Sequence, residues 1–169
     1  MSARLKHVDA TRAPSALRRA YAALANSRLG RFLSEKVVWK LDPMLMKATG
    51  GRLGLGLMMP TALLETTGAK SGRRRATVVI YFHDGELVTI VPSYIGRPVN
   101  PAWFHNLVAD PDVVFAGVPM RASVVAGEAD RERLWGLADN VFPPYADYRR
   151  EAAAAGREIP IVQLRSGPA

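Results

Sequence analysis

Cysteine is absent from the 169 residues. That excludes disulfides, thiolate metal sites and thiol catalysis, and it fits a reducing, cytoplasmic setting. Histidine is scarce: His7, His83 and His105 lie far apart without the spacing of a ligand set, so no metal is expected. Long apolar runs are missing too. The most hydrophobic stretch, Leu53 to Leu64, is broken by Gly54, Gly56 and Pro60 and is too short to span a bilayer. The basic N-terminus leads into no uninterrupted apolar segment, so no secretory signal is expected. Acids are rare at one end only. Residues 1–53 hold 11 Lys/Arg against 3 Asp/Glu, whereas residues 54–169 hold 12 of each, so the first third carries the whole surplus of +8.

Several catalytic signatures are also lacking. Gly54-Leu-Gly56-Leu-Met-Met59 starts like a dinucleotide fingerprint, but Met59 replaces the third glycine and no βαβ context is present. Gly68-Ala-Lys70-Ser71 resembles the tail of a phosphate loop without its earlier glycine. No serine sits in a nucleophile elbow, and no close carboxylate pair suggests glycosidase chemistry.

What is present divides in two, a basic helical leader over 1–55 and a β-rich body over 56–169. Helices are expected at 15–25 and 30–41, the second from the recurrence of Phe32, Leu33, Val37 and Leu41. Pro43 and Gly50-Gly51 punctuate the stretch between residue 41 and the body. The leader's charge suits either a solvated helical face or an acidic partner such as anionic lipid. Nucleic acid is not expected, because aromatics among these cations are few: Tyr21, Phe32 and Trp39.

The body reads as strands at 61–67, 74–83, 86–92, 112–116, 119–127 and 159–164. Asp84-Gly85 signals a two-residue hairpin turn, and another hairpin turns near Gly117. Asn100-Pro101 reads as the cap and first residue of a short helix ending at Asp110-Pro111. Further helices are expected at 130–141, with Leu134, Leu137, Ala138 and Val141 on one face, and at 145–155, ended by Gly156. Six short strands with few helices suggest a mainly β, α+β fold built on a closed or half-closed antiparallel barrel.

One cluster stands out. The bend after the first strand holds Lys70, Arg73, Arg74 and Arg75 within six positions. Strand alternation sends Arg73 and Arg75 one way and Arg74 the other. Point charge, guanidinium, the Ser71 hydroxyl and close-approach backbone at Gly72 suit a phosphate. A solvated edge that discourages strand-to-strand association suits the same residues.

Three ordered segments bear on that choice: LLETTGAKSGRRR, IVPSYIGRPVNPAWFHNL and YADYRREAAAAGREIPIVQL. Together they resemble the deazaflavin (coenzyme F-420)-dependent nitroreductase family, split β-barrel reductases of actinobacteria, over roughly residues 60–165. The resemblance implies a six-stranded split barrel and a polyanionic deazaflavin cofactor, F-420, ahead of FMN. It places the cofactor on Lys70, Ser71, Gly72, Arg73, Arg75 and Thr77, with its ring toward Ser93, Ala102 and Trp103. It implies hydride transfer to an electrophilic acceptor, with Tyr145, Tyr148 and Ser93 as candidate catalytic groups and Ile80, Phe142, Tyr145 and Tyr148 around the acceptor. Phe142 and Ile80 stand where some members carry hydroxyl-bearing aromatics. That turns the expectation from nitro compounds toward an enone, a quinone or an unsaturated lipid. Glu65 is expected to pair with Arg73 or Arg75, or to tune cofactor affinity. Two other readings use the same barrel: a non-catalytic carrier of the cofactor, and an FMN-dependent reductase. A peripheral position at the inner face of the cell membrane and a homodimer are both compatible with the sequence.

Overall fold

A computed structural model describes residues 5–12, 14–33, 39–48 and 59–166. Six strands close into an antiparallel barrel in the order β1-β2-β3-β6-β5-β4: β1 (Thr61–Thr67), β2 (Arg74–Asp84), β3 (Leu87–Ile90), β4 (Asp112–Phe115), β5 (Val118–Val124) and β6 (Val162–Ser166). Closure comes from β1 against β4, where Leu64 faces Phe115 and Glu65 faces Val114. Alternation decides what each strand buries. Ala62 and Leu64, Val79 and Tyr81, Val88 and Ile90, and Val162 and Leu164 point inward. With Val113, Phe115, Met120 and Ala122 they fill the interior, and Leu107 of α4 (Ala102–Ala109) joins them. The barrel is packed solid, as a six-stranded barrel allows.

A second core lies outside the barrel. The outward faces of Phe82, Val91 and Ile80 meet α5 (Glu128–Val141) through Leu134, Ala138 and Val141, and α6 (Tyr145–Ala154) through Tyr145, Tyr148 and Ala152. Ala22 of α1 (Ala16–Asn26) is 1% exposed within this cluster, so the leader packs on the body. An N-terminal segment also clips to β2. The Val8 amide donates to His83 Nδ1 at 3.1 Å, the His83 amide donates to the Val8 carbonyl at 3.0 Å, and Tyr81 Oη donates to the Lys6 carbonyl at 2.8 Å.

Several local expectations need correction. The hairpin turn is Gly85-Glu86, one residue later than the Asp84-Gly85 signal, because Asp84 still pairs with Leu87. Only Gly85 takes positive φ, at 58°. Of the expected helix at 30–41, the described parts are helical, in α2 (Arg28–Leu33) and at the start of α3 (Trp39–Ala48), and residues 34–38 lie outside the described residues. Ser27 sets the start of α2. Its hydroxyl donates to the Leu24 carbonyl at 2.7 Å and accepts from the Gly30 amide at 3.1 Å, ending α1 and capping α2. Pro43 lies inside α3, near its start, where the amide ladder is least complete. The last strand begins at Val162, not Ile159, and most of the expected boundary near residues 50–60 falls outside the described residues.

Candidate functional site

The outward face of β2 floors a cleft of about 310 Å³. Thr61 of β1 and Val78 and Ile80 of β2 form the base. Phe142, Tyr145 and Tyr148 stand on one side, and Ser93, Tyr94, Ile95, Pro101 and Trp103 on another. Tyr21, Ala25, Arg31 and Asp42 of the leader complete the rim. The walls are mostly apolar and aromatic with a few polar groups, the usual makeup of a small-molecule site. Of the residues singled out from the sequence, Ile80, Ser93, Trp103, Phe142, Tyr145 and Tyr148 meet here. Ala102 is exposed at the start of α4, and Thr77 lies on the inward face opposite Leu64; neither lines the cleft.

The three α6-side aromatics form one cluster. Ring centroids of Phe142 and Tyr145 are 5.1 Å apart, and those of Tyr145 and Tyr148 6.4 Å, both edge-on. Tyr145 is 3% exposed and Tyr148 5%. Burial pushes the Tyr148 phenol up to about 12; Arg31 opposes this, while Glu151 and Asp147 add to it. Complete burial raises the Tyr145 phenol further. Both therefore keep their protons at neutral pH.

The opposite wall has unusual backbone. Tyr94, Ile95 and Gly96 take φ of 49°, 56° and 73° in succession, a left-handed turn closed by the Gly96 amide on the Ser93 carbonyl and the Arg97 amide on the Tyr94 carbonyl, both at 3.1 Å. Each non-glycine residue there costs about 1–2 kcal/mol. Asn100, expected to cap α4, serves elsewhere: Pro101 is the cap position, without a side-chain bond, and Asn100 Oδ1 accepts from Arg157 Nε at 3.0 Å.

The leader's contribution was not legible in the sequence. Arg31 forms a bidentate pair with Glu151 at 2.7 and 2.8 Å and lies 4.9 Å over the Tyr148 ring. Asn26 Nδ2 donates to Asp147 Oδ2 at 3.0 Å. The hydrogen bond from Arg31 holds the Glu151 carboxyl below its ordinary value of 4.5. A depressed carboxyl contributes stability that is present above that ordinary value and lost as pH falls through the folded value. Acidification below 4.5 should therefore loosen α1 and α2 from α6. Amide exchange in α1 across the acid range checks this, and Glu151→Gln should remove the part due to this pair. Asp84, depressed chiefly by its hydrogen bond from Arg133, titrates in the same direction and supplies the background.

The cationic bend sits beyond the cleft. Lys70, Ser71, Gly72, Arg73, Arg74 and Arg75 are all exposed. The bend is nonetheless ordered: the Gly72 amide donates to the Gly68 carbonyl at 2.8 Å, and Gly72 takes φ 63°. The Ala69 amide donates to Asn106 Oδ1 at 3.0 Å, and Asn106 Nδ2 donates to Thr66 Oγ1 at 3.0 Å, anchoring the bend to α4. Glu65 approaches Arg74, at 4.0 Å, where Arg73 or Arg75 was expected. The register explains it: Glu65 faces Ala76, which shares the outward face with Arg74. Arg75 opposes Thr66 on the other face, at the barrel rim. At about 3.3 Å per residue, Arg74 lies about 13 Å along β2 from Val78, so the bend opens the strand whose middle floors the cleft. Among the described residues no group of His, Asp or Glu could hold a metal, and no helix is long and apolar enough to cross a membrane.

A family model described as F420H(2)-dependent quinone reductase matches residues 39–166. A Mycobacterium tuberculosis protein named an F420H(2)-dependent quinone reductase is 36% identical over 133 residues, covering 74% of this chain and 87% of its own. Among solved structures, one described as an F420-H2 dependent reductase is 32% identical with a TM-score of 0.54, covering 63% of this chain and 94% of its own. Another, described as a domain-swapped dimer, is 30% identical with a TM-score of 0.57, covering 75% and 94%.

Proposed function

The chain belongs to the F420H(2)-dependent quinone reductase family, and on that premise we propose that its cleft joins reduced F-420 to a quinone-type acceptor. It is an F-420-dependent oxidoreductase. The observation that carries the proposal is the continuity of β2, whose start bears the cationic bend and whose middle floors the cleft. A molecule with a flat apolar ring and an acidic, phosphate-bearing tail fits that layout. Lys70, Arg73 and Arg75, with Ser71 and the Gly72 backbone, would hold the phosphate, and Ser93 and Trp103 would border the ring. Bound reduced F-420 supplies a hydride; the acceptor takes that hydride and one proton to become the quinol.

The protein's share is positioning, exclusion of water and hydrogen bonding at the acceptor oxygen. Tyr148 suits the last role, being neutral, in the cleft wall and beside the Arg31 guanidinium. Tyr148→Phe should lower kcat by about 100-fold while F-420 affinity stays unchanged, the usual cost of losing one donor to a developing oxyanion. Because its phenol titrates near 12, this group adds no inflection to the kcat profile between neutral and mildly alkaline pH. Burial of both tyrosines supports an enzyme over a passive carrier, since neither faces solvent. Phe142 and Ile80 make the acceptor side apolar, which favours a quinone over a nitro compound. The direct test is tryptophan fluorescence on titration with F-420 and with FMN, and then quinone-dependent oxidation of reduced F-420. Absence of F-420 binding at micromolar concentration overturns the reading.

From the leader we infer a location at a membrane surface. Seven of the eleven exposed large apolar side chains among the described residues are Leu17, Leu24, Leu29, Phe32, Leu33, Leu41 and Met44. They lie in the segment that holds the chain's cationic surplus. Apolar side chains among cations suit the face of an anionic bilayer, where a lipid-soluble quinone resides. Leu29→Glu with Phe32→Glu should abolish co-sedimentation with anionic liposomes and leave turnover of a water-soluble quinone unchanged. Unaltered sedimentation would defeat the assignment.

A further inference from the structure

We infer that Arg157 is a positioning residue for the cleft, acting through the left-handed turn at Tyr94–Gly96. Arg157 comes just after α6 and is 7% exposed. Its Nε donates to Asn100 Oδ1 at 3.0 Å, and its Nη1 to the Ser93 carbonyl at 3.1 Å and the Arg97 carbonyl at 2.7 Å. Its Nη2 donates to the Pro92 carbonyl. Among the described residues no carboxylate pairs with it. A buried guanidinium without an acid is costly, and burial accordingly favours its neutral form. It persists because its planar fork meets four oxygens at once.

All four acceptors lie on one loop, 92–100, between β3 and α4. Pro92 and Ser93 precede the left-handed turn; Arg97 and Asn100 come after it. The guanidinium thus brackets a backbone that Tyr94 and Ile95 would not adopt by their own preference. That loop presents Ser93, Tyr94 and Ile95 to the cleft. A side chain with no place in the cleft lining thereby fixes one of its walls. Lysine cannot substitute, since a single ammonium lacks the fork that reaches both ends of the turn.

The inference rests on the cleft being the cofactor and acceptor site, and its test separates the two. Arg157→Lys and Arg157→Gln are made in the full chain and assayed by amide exchange, F-420 titration and steady-state kinetics. Exchange at Gly96 and Arg97 should accelerate by about tenfold or more while amides of β6 and α5 keep their protection. F-420 Kd or quinone KM should rise by about tenfold, with a smaller change in kcat. For Arg157→Ala, millimolar free guanidinium should restore part of that loss. If wild type fails to bind F-420, the cleft assignment falls, and the exchange measurement still decides whether Arg157 holds the turn. A folded Arg157→Lys with unaltered exchange and unaltered constants overturns the inference. So does uniform loss of protection across β6 and α5, or failure of both variants to fold, either of which would assign Arg157 to general stability.

Discussion

Replacing Lys70 and Arg75 together by alanine should weaken F-420 binding by about 100-fold or more. Each charge-assisted contact with an anion contributes roughly 1.5–3 kcal/mol, so losing two predicts roughly 10²–10⁴ in Kd. Exposure of both side chains places the expectation at the lower end, because water and salt screen them. The same exposure makes the experiment clean: neither side chain supports the core, so the melting temperature should stay within about a degree or two of wild type. Wild-type affinity should fall as salt rises, and the double variant should show a shallower dependence. Titration by tryptophan fluorescence at two salt concentrations checks both points. Affinity within about threefold of wild type would leave the bend as a solvated edge and remove the basis for the cofactor's orientation.

Gly96→Ala should produce the largest loss of stability among single changes near the cleft. The residue has φ 73°, and an added Cβ would lie 2.8 Å from Glu151 Oε2, 2.9 Å from Glu151 Cβ and 3.1 Å from the Tyr148 carbonyl. Left-handed strain costs about 1–2 kcal/mol and overpacking about 1–3 kcal/mol, giving a total of roughly 2–5 kcal/mol. For a chain of this size that corresponds to a melting temperature lower by roughly 5–15 °C. Relief comes by moving α6, which carries Tyr148 and the Glu151 that pairs with Arg31. Quinone KM should therefore rise in the variant at temperatures where it remains folded. Gly136→Ala is the matched control: an added Cβ there meets nothing within 4 Å, and the position lies inside α5. It should stabilise by about 0.5–1 kcal/mol through helix propensity. A Gly96→Ala protein that melts with wild type would show that the turn and α6 are not tightly apposed.

The strands were readable because their information is local. Alternation in Thr61–Thr67 and Arg74–Asp84, with turn residues between, is enough to set the inward and outward sides. Pairing of Leu64 with Phe115 is not local, and nothing in either segment announces the other. Part of the cleft was readable for a different reason, its resemblance to known reductases, which led to Ile80, Ser93, Trp103, Phe142, Tyr145 and Tyr148. Tyr21 and Arg31 were missed because a basic amphipathic helix looks the same whether its cation faces water or an acid across the fold. Arg157 was missed because an arginine bound to backbone carbonyls has no sequence partner to reveal it. The left-handed turn was missed because Tyr94 and Ile95 are poor candidates for positive φ, so only tertiary contacts place them there. The Asn100 cap failed for the same kind of reason: a local rule lost to a buried donor arriving from beyond α6.

A barrel filled to its axis leaves ligands no interior to occupy, so the proposed chemistry falls to its outer skin. The barrel's own filling is consequently set largely by residues that do not line the cleft. Side chains such as Leu64, Ile90, Phe115 and Leu164 sustain the scaffold, whereas on the proposed reading Phe142, Ile80 and Tyr21 shape what is admitted. Cleft lining and packing meet in the second core, where Phe142 is 6% exposed and Tyr21 and Ile80 pack against the same cluster, so reshaping the cleft there also costs stability.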